Sequence, residues 1–140
     1  MSETDIETPG RILAFAAVVE VGTGLVLVID PAVVVTFLLG VDVSGAATTL
    51  GRCFGIALLA LGLACWPSRQ GAVSGSPTVR GMLTYNVLIA LYLAYLGAVG
   101  HFRGVLLWPG VGLHAVVALL LVWRCRGEQR TKGTSVRSGR

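Results

Sequence analysis

The stretch AFAAVVEVGTGLVLVID, residues 14–30, determines the class of fold. Apart from Thr23 and the acids Glu20 and Asp30, it consists of apolar residues and glycine. Extended back to Arg11, the run is close to the roughly 20 residues that a helix needs to cross a bilayer core about 30 Å thick. The sequence therefore predicts a membrane-spanning helix that carries a carboxyl group, Glu20, at mid-depth.

The composition of the whole chain agrees with this prediction. The 140 residues are 54% hydrophobic and 13% charged, with a mean hydropathy of +0.79, whereas soluble domains average about 25% charged residues. The acidic start MSETDIETPGR differs from the basic start of a signal peptide, so the first apolar run is predicted to be retained. We predict an all-α polytopic membrane protein, a four-transmembrane-helix bundle within one domain, residues 11–123, whose spans cover about 11–29, 45–66, 81–99 and 105–123.

The distribution of basic residues predicts the orientation of these spans. Of the 11 basic residues, Arg52 falls within a span, Arg103 falls on one face, and the other nine fall on the opposite face: Arg11, Arg69, Arg80 and the six within 124–140. The positive-inside rule then places the N-terminal tail 1–10 and the basic tail 124–140, which is predicted to be disordered, in the cytoplasm. The net charge of +4 is thus attributed to topology and to membrane lipids, with no nucleic-acid partner.

The connection between the first two spans carries the signals of a short helix. Asp30 followed by Pro31 is typical of an N-cap and a first helical position, and Gly40 is typical of a helix end. The intervening AVVVTFLL is too apolar for water and too short to span. We predict an interfacial helix over 31–39, with an extended lid as the alternative, and Asp42 or Ser44 as the cap of the second span.

Four side chains are predicted to form a polar core at mid-depth. At 1.5 Å per residue, Glu20 and His114 lie about 15 Å below the outer surface and Arg52 about 12 Å below it. Tyr92 is near the middle of the third span, and Asn86 of the same span lies lower. These groups form a possible ligand or proton site.

The cost of charge in lipid favours pairing within this core. An ionised side chain at the bilayer centre costs about 2.5–3.5 kcal/mol even on the lenient scale, so Glu20 and Arg52 are predicted to form an ion pair. A structural role for the pair is favoured over a ligand, proton or ion site, although both stay open. His114 is predicted to be neutral, and Asn86 is interpreted first as a hydrogen bond between helices.

Glycines in the second span predict close helix packing. Gly51, Gly55 and Gly62 fall on one helix face at spacings that let backbones approach. The predicted partner is the first span, which contains Gly22 and Gly24. Homodimerisation through the same face is the alternative.

The remaining reactive side chains predict no cofactor. Cys53, Cys65 and Cys125 lack the spacing of a zinc site, so no metal is expected. His101 and His114 are too far apart along one helix for a haem, at about 20 Å. Because neither a nucleophile–base pair nor a metal set is apparent, no catalytic residue is proposed, and a membrane enzyme is kept only as a third, weaker option behind two non-enzymatic classes.

Three segments carry a resemblance to a known group of proteins. LGRCFGIALLALGLACW (50–66), GMLTYN (81–86) and LLWPGVGLHAVVALLL (106–121) resemble parts of small, functionally uncharacterised four-helix integral membrane proteins of bacteria. The general layout is similar to that of the DoxX-like group. The resemblance implies a bacterial inner-membrane protein and implies no reaction.

Two classes of function follow from these observations. The favoured one is an accessory, scaffold or small ligand-binding bundle that contacts lipids, other membrane proteins or further copies of itself. The alternative is a small oligomeric transporter or channel-like protein that uses the mid-membrane Glu/Arg/His core.

Overall fold

A computed structural model describes residues 4–66 and 76–138, and this part of the chain is helical without strands. The predicted all-α class is therefore confirmed. The five helices are α1 (Thr4–Ile29), α2 (Pro31–Leu39), α3 (Ala46–Ala64), α4 (Pro77–Ala98) and α5 (Leu107–Ser138).

Three of these helices are long and apolar enough to cross a membrane, as judged by length and composition. They are α3, α4 and the Arg11–Ile29 part of α1. The apolar part of α5 is shorter, with 17 residues from Leu107 to Trp123, which is at the lower limit for a span. The chain is thus a membrane protein with three clear candidate spans, and the fourth crossing remains a prediction.

Helix α2 has the boundaries that the cap residues predict. The Asp30 side chain accepts a hydrogen bond from the backbone N–H of Ala32 at 3.0 Å, and Pro31 occupies the first position. Gly40 ends the helix in the left-handed conformation, with φ +74°, and its N–H donates to the Thr36 carbonyl. The helical interpretation of this segment is confirmed over the extended lid.

The start of α3 differs from the prediction. Its N-cap is Gly45, with φ +57° and no side-chain hydrogen bond, so neither Asp42 nor Ser44 caps the helix. A glycine adopts this backbone conformation without steric cost, which lets the chain turn into α3 one residue after Ser44 and three residues after Asp42.

The basic tail also differs from the prediction. The sequence predicts disorder from residue 124, whereas α5 continues to Ser138. Once a helix is nucleated, each further residue that is fixed gains one hydrogen bond, whereas nucleation fixes three residues for the first bond. The apolar part of α5 nucleates the helix, so the polar residues extend it without an apolar face of their own.

The spans are arranged as two helix pairs, α1 with α3 and α4 with α5. Glycines permit the close approach of the first pair. A Cβ atom added to Gly55 would lie 2.8 Å from the Gly24 carbonyl oxygen, and one added to Gly62 would lie 2.9 Å from the Ala17 carbonyl oxygen. Gly51 instead faces Pro31 at the start of α2, and Gly22 faces open space. Of the predicted packing glycines of α3, Gly55 and Gly62 therefore contact α1 and Gly51 contacts α2, and of the two α1 glycines only Gly24 takes part.

The two pairs meet in an apolar core at the end of the bundle where α1 and α4 enter it. Cys65, which follows α3, links the pairs because its thiol donates to the Thr78 carbonyl at 3.8 Å. Close packing of small and flexible apolar side chains of this kind stabilises a core. The core residues are Leu13, Ala16, Cys65, Val79, Met82, Val117 and Leu121.

The opposite end of the bundle is closed by α2 and the connection between α4 and α5. Leu106 N–H donates to the Phe37 carbonyl at 2.8 Å, and Arg103 N–H donates to the Leu39 carbonyl at 3.3 Å. Gly104 lies directly against the backbone of Leu38, where a side chain would clash. The last carbonyls of α2, which have no partner within their own helix, are satisfied in this way.

Candidate functional site

The interior face of α1 carries Glu20. Leu13, Ala16 and Glu20 follow each other at spacings of three and four residues and are each only 2% exposed. Such spacings place side chains on one face of a helix. Because Leu13 and Ala16 belong to the core shared with α4 and α5, Glu20 points into the same space between the two helix pairs.

The partner of Glu20 is a tyrosine of α4. The Tyr85 hydroxyl lies within interaction range of the Glu20 carboxyl, to which it can donate. Tyr85 is half-buried, whereas Glu20 is fully enclosed. A tyrosine at such a boundary keeps its ring in apolar contact while its O–H serves as donor, and no other partner of Glu20 is found in the described residues.

An asparagine and a histidine join α4 to α5 at the same level. Asn86, 1% exposed, donates its side-chain N–H to the Met82 carbonyl at 2.8 Å. Its Oδ1 atom lies 2.9 Å from the Nδ1 atom of His114. Because a carbonyl can only accept, the bond to Met82 fixes the amide orientation, and Oδ1 must accept from His114. The hydrogen therefore sits on Nδ1 in the neutral ring, which leaves Nε2 as an acceptor.

Tyr85 connects the two hydrogen-bonded units. Its ring and that of His114 are arranged edge to face, with centroids 5.8 Å apart and an interplanar angle of 82°, which is a favourable geometry for aromatic rings. We call Glu20, Tyr85, Asn86 and His114 the polar cluster. It combines one carboxyl, one phenol, one amide and one imidazole from α1, α4 and α5.

The structure does not bring Arg52 to this cluster, which corrects the predicted ion pair. Gly51 of α3 contacts Pro31, so Arg52 is level with the end of α1. That level is about 10–15 Å along the helix from Glu20. Arg52 is also exposed, about 100° around the helix from Gly51. The prediction measured both depths from the loop ends and assumed that those ends lie in one plane, whereas α3 begins above the end of α1.

Tyr92 is the second predicted member that lies outside the cluster. It is 58% exposed, although it falls one heptad from Tyr85 on nearly the same face of α4. Helix α1 therefore shields Tyr85 from the surface and does not reach Tyr92. Tyr85 is the member that the prediction left out, and its adjacency to Asn86 on a helix facing Glu20 was the available signal.

The chemistry of the polar cluster is dominated by acceptors. In the described residues, Tyr85 engages the Glu20 carboxyl and Asn86 engages Nδ1 of His114, so Nε2 of the neutral ring is an acceptor. No group of three or more histidine, cysteine or acidic side chains in this part of the chain could hold a metal ion. The cluster is therefore suited to hydrogen bonding and proton exchange with a small guest.

Comparison with known proteins does not extend this description. No family model, no curated protein and no solved structure matches the chain. The resemblance to DoxX-like and other small bacterial membrane proteins stays a prediction, so the function is argued from the polar cluster itself.

Proposed function

We propose that the chain is a four-crossing protein of the bacterial cytoplasmic membrane, with both termini in the cytoplasm, that serves as a small ligand-binding bundle. The fourth crossing is the apolar part of α5, and α2 lies at the outer interface. The polar cluster is the binding site, and the protein performs no catalysis. The asymmetric distribution of basic residues supports this orientation.

The burial of Glu20 carries the proposal. At 2% exposure, its carboxyl is enclosed, and the neutral Tyr85 is the one hydrogen-bonding side chain that the described part of the chain offers it. Buried polar groups in proteins almost always have their hydrogen bonds made, and exceptions point to an ion, a water molecule or a functional role. In the membrane, such a residue is a functional-site hypothesis by default.

The orientation of Arg52 agrees with the same arrangement. If the spans cross as proposed, its exposed side chain lies near the outer interface, where a guanidinium can reach lipid head groups. Arg52 is then an interfacial anchor and does not neutralise Glu20. A bound ligand would have to balance the charge of an ionised Glu20.

Native purification tests the ligand-binding function. The wild-type protein in mild detergent should retain a small molecule, which mass spectrometry of the intact complex would detect. Infrared spectroscopy would detect a retained proton on the polar cluster. Asn86→Leu, which removes the amide that orients His114, should lose it. Tyr92→Phe is the matched control and should retain it. A wild-type cluster that holds nothing, in a protein that co-purifies with a fixed partner subunit, would contradict ligand binding and favour an accessory role.

A transporter is the second candidate. The feature that favours transport is the partial exposure of the polar cluster on one side of α4. Tyr85 is only half-buried and Tyr92 is exposed, so the cluster lies beside an open face of α4. Large apolar side chains also cover the outward faces of the spans, including Leu50, Ile56 and Leu63 of α3. This surface suits lipid or further copies of the chain. Uptake of a probe into vesicles that contain the purified protein, lost in Glu20→Gln, would support transport over binding alone.

A further inference from the structure

The two ends of the bundle close the polar cluster in different ways. At one end the apolar core follows directly, since Met82 is one turn from Asn86 on α4 and Val117 is one turn from His114 on α5. This core takes side chains from α1, α4 and α5 and from Cys65 after α3. Opening the bundle at this end would therefore separate the two helix pairs.

Helix α2 provides the barrier at the other end. On α5, the residue one turn from His114 in this direction is Gly110, which contributes no side chain. The Leu38 side chain of α2 covers that position, because a Cβ atom added to Gly110 would lie 3.4 Å from Leu38 Cδ1 and 3.5 Å from Leu93 Cδ1. A movement of α2 would therefore uncover the α5 side of the polar cluster.

The two ends of α2 are held differently. Its first residue, Pro31, is buried and packs against Gly51 of α3. Its last turn is held by the two backbone hydrogen bonds from the connection between α4 and α5. The chain that leaves α2 is bounded by Gly40 and Gly45, which both have positive φ and can change conformation at low cost. The last turn of α2 can therefore swing away while Pro31 stays in place.

We propose that α2 is a gate through which the polar cluster communicates with the α2 side of the membrane. The gate opens when the last turn of α2 leaves the connection between α4 and α5, which breaks two hydrogen bonds and withdraws Leu38. The apolar core at the other end stays closed, because it contains no residue of α2. This inference rests on the proposed ligand-binding function and specifies the route by which a ligand reaches its site. In the proposed orientation, that route begins outside the cell.

Cysteine reactivity tests the route in the full-length protein without its native cysteines. Ala90→Cys reports on the α2 side of the polar cluster, because Asn86, Ala90 and Leu93 are buried on one face of α4. Ala118→Cys reports on the core side, one turn beyond His114. A membrane-impermeant thiosulfonate added on the α2 side should modify Ala90→Cys slowly and leave Ala118→Cys unmodified. Faster modification of Ala90→Cys from the opposite side, in inverted vesicles, would overturn the proposal.

Gly104→Ala tests the attachment of the last turn. The added methyl group would overlap the Leu38 backbone and displace α2 from the connection. Because two backbone hydrogen bonds are then lost, Ala90→Cys should be modified about tenfold faster, and Ala118→Cys should stay unmodified. Gly112→Ala, with open space around its Cβ position, is the matched control and should change neither rate. Equal rates in the two backgrounds, or modification of Ala118→Cys in Gly104→Ala, would overturn the gate.

Leu38→Ala keeps the test decisive if Gly104→Ala does not fold. It shortens the side chain over Gly110 and leaves the backbone hydrogen bonds of α2 in place. Since the apolar cover is lost, Ala90→Cys should again be modified about tenfold faster. Val33→Ala, at an exposed position of the same helix, is the control and should have no effect. An unchanged rate in Leu38→Ala would overturn the gate.

Failure of the gate is distinguishable from failure of the ligand-binding function. A small molecule retained by the wild type, with Ala90→Cys reacting only with a lipid-soluble maleimide, would overturn the gate and leave ligand binding from the lipid side intact. A protein that retains nothing but shows the expected reactivities would overturn the ligand-binding function and support the opening of α2.

Discussion

At the scale of single residues, partner choice follows the direction in which a side chain points as well as its depth. Glu20 shares a helix face with Leu13 and Ala16 and meets Tyr85, whereas Arg52 lies beside the packing face of α3 and points outward. Opposite charge favours pairing only between groups that can touch. A neutral phenol on the facing helix therefore replaces the guanidinium as the partner of the carboxyl.

Two double-mutant cycles test this assignment. Glu20→Gln and Tyr85→Phe should be coupled by about 0.5–3 kcal/mol of unfolding free energy, since the two groups touch. Glu20→Gln and Arg52→Gln should be additive to within about 0.5 kcal/mol, because their sites are more than about 10 Å apart. The measurement is unfolding in mixed detergent followed by circular dichroism. Coupling to Arg52 without coupling to Tyr85 would contradict the cluster.

At the scale of elements, glycine spacing and cap residues define the contacts of α1, α2 and α3. Gly24 and Gly55 bring two backbones together where any side chain would separate them. Gly40 and Gly104 do the same for α2 and the connection before α5. Association of helices within lipid relies on this close packing, because burying apolar surface gains little there.

Alanine substitution separates the packing glycines from the others. In Gly55→Ala the new methyl group meets the Gly24 carbonyl at 2.8 Å and the Val28 nitrogen at 3.0 Å, and backbone atoms cannot move aside easily. We expect a loss of about 1–3 kcal/mol of unfolding free energy. Gly22→Ala, with open space around its Cβ position, is the control and should not destabilise. Equal stability of the two variants in detergent would show that the α1–α3 contact is looser than described.

At the scale of the whole molecule, the number of crossings decides whether the termini share one side of the membrane. The 17 apolar residues of α5 make about 25 Å of helix, slightly less than the hydrocarbon core of about 30 Å. The polar continuation of α5 and the basic residues beyond Trp123 would then lie at one interface. Four crossings place both termini on the same side of the membrane, whereas three would separate them.

Cysteine labelling in intact cells tests this topology. In a background without native cysteines, a membrane-impermeant thiol reagent should label a cysteine at Val41 and miss cysteines at Ser74, which lies outside the described residues, and at Thr131. Lysis should make both of the latter reactive. Labelling of Thr131 in intact cells, with Ser74 still protected, would mean that α5 does not cross. Labelling of Ser74 but not Val41 would reverse the orientation.

The sequence by itself determined the properties that depend on local pattern. Apolar runs predicted α1, α3 and α4 as candidate spans, and the sequence Asp30-Pro31 with Gly40 predicted the bounds of α2, because hydropathy and cap chemistry act over a few neighbouring residues. Four-residue glycine spacing likewise predicted the packing face of α3.

Only the tertiary structure decided which polar groups meet. The vertical offset between α1 and α3 separated Arg52 from Glu20, and the rotation of α4 brought in Tyr85 while leaving Tyr92 exposed. Helix offset and rotation arise from many long-range contacts at once, so counting residues from the loop ends could not supply them. Of the predicted polar core, Glu20, Asn86 and His114 lie in the cluster and Arg52 and Tyr92 lie outside it, because the packing of the two helix pairs sets which side chains meet.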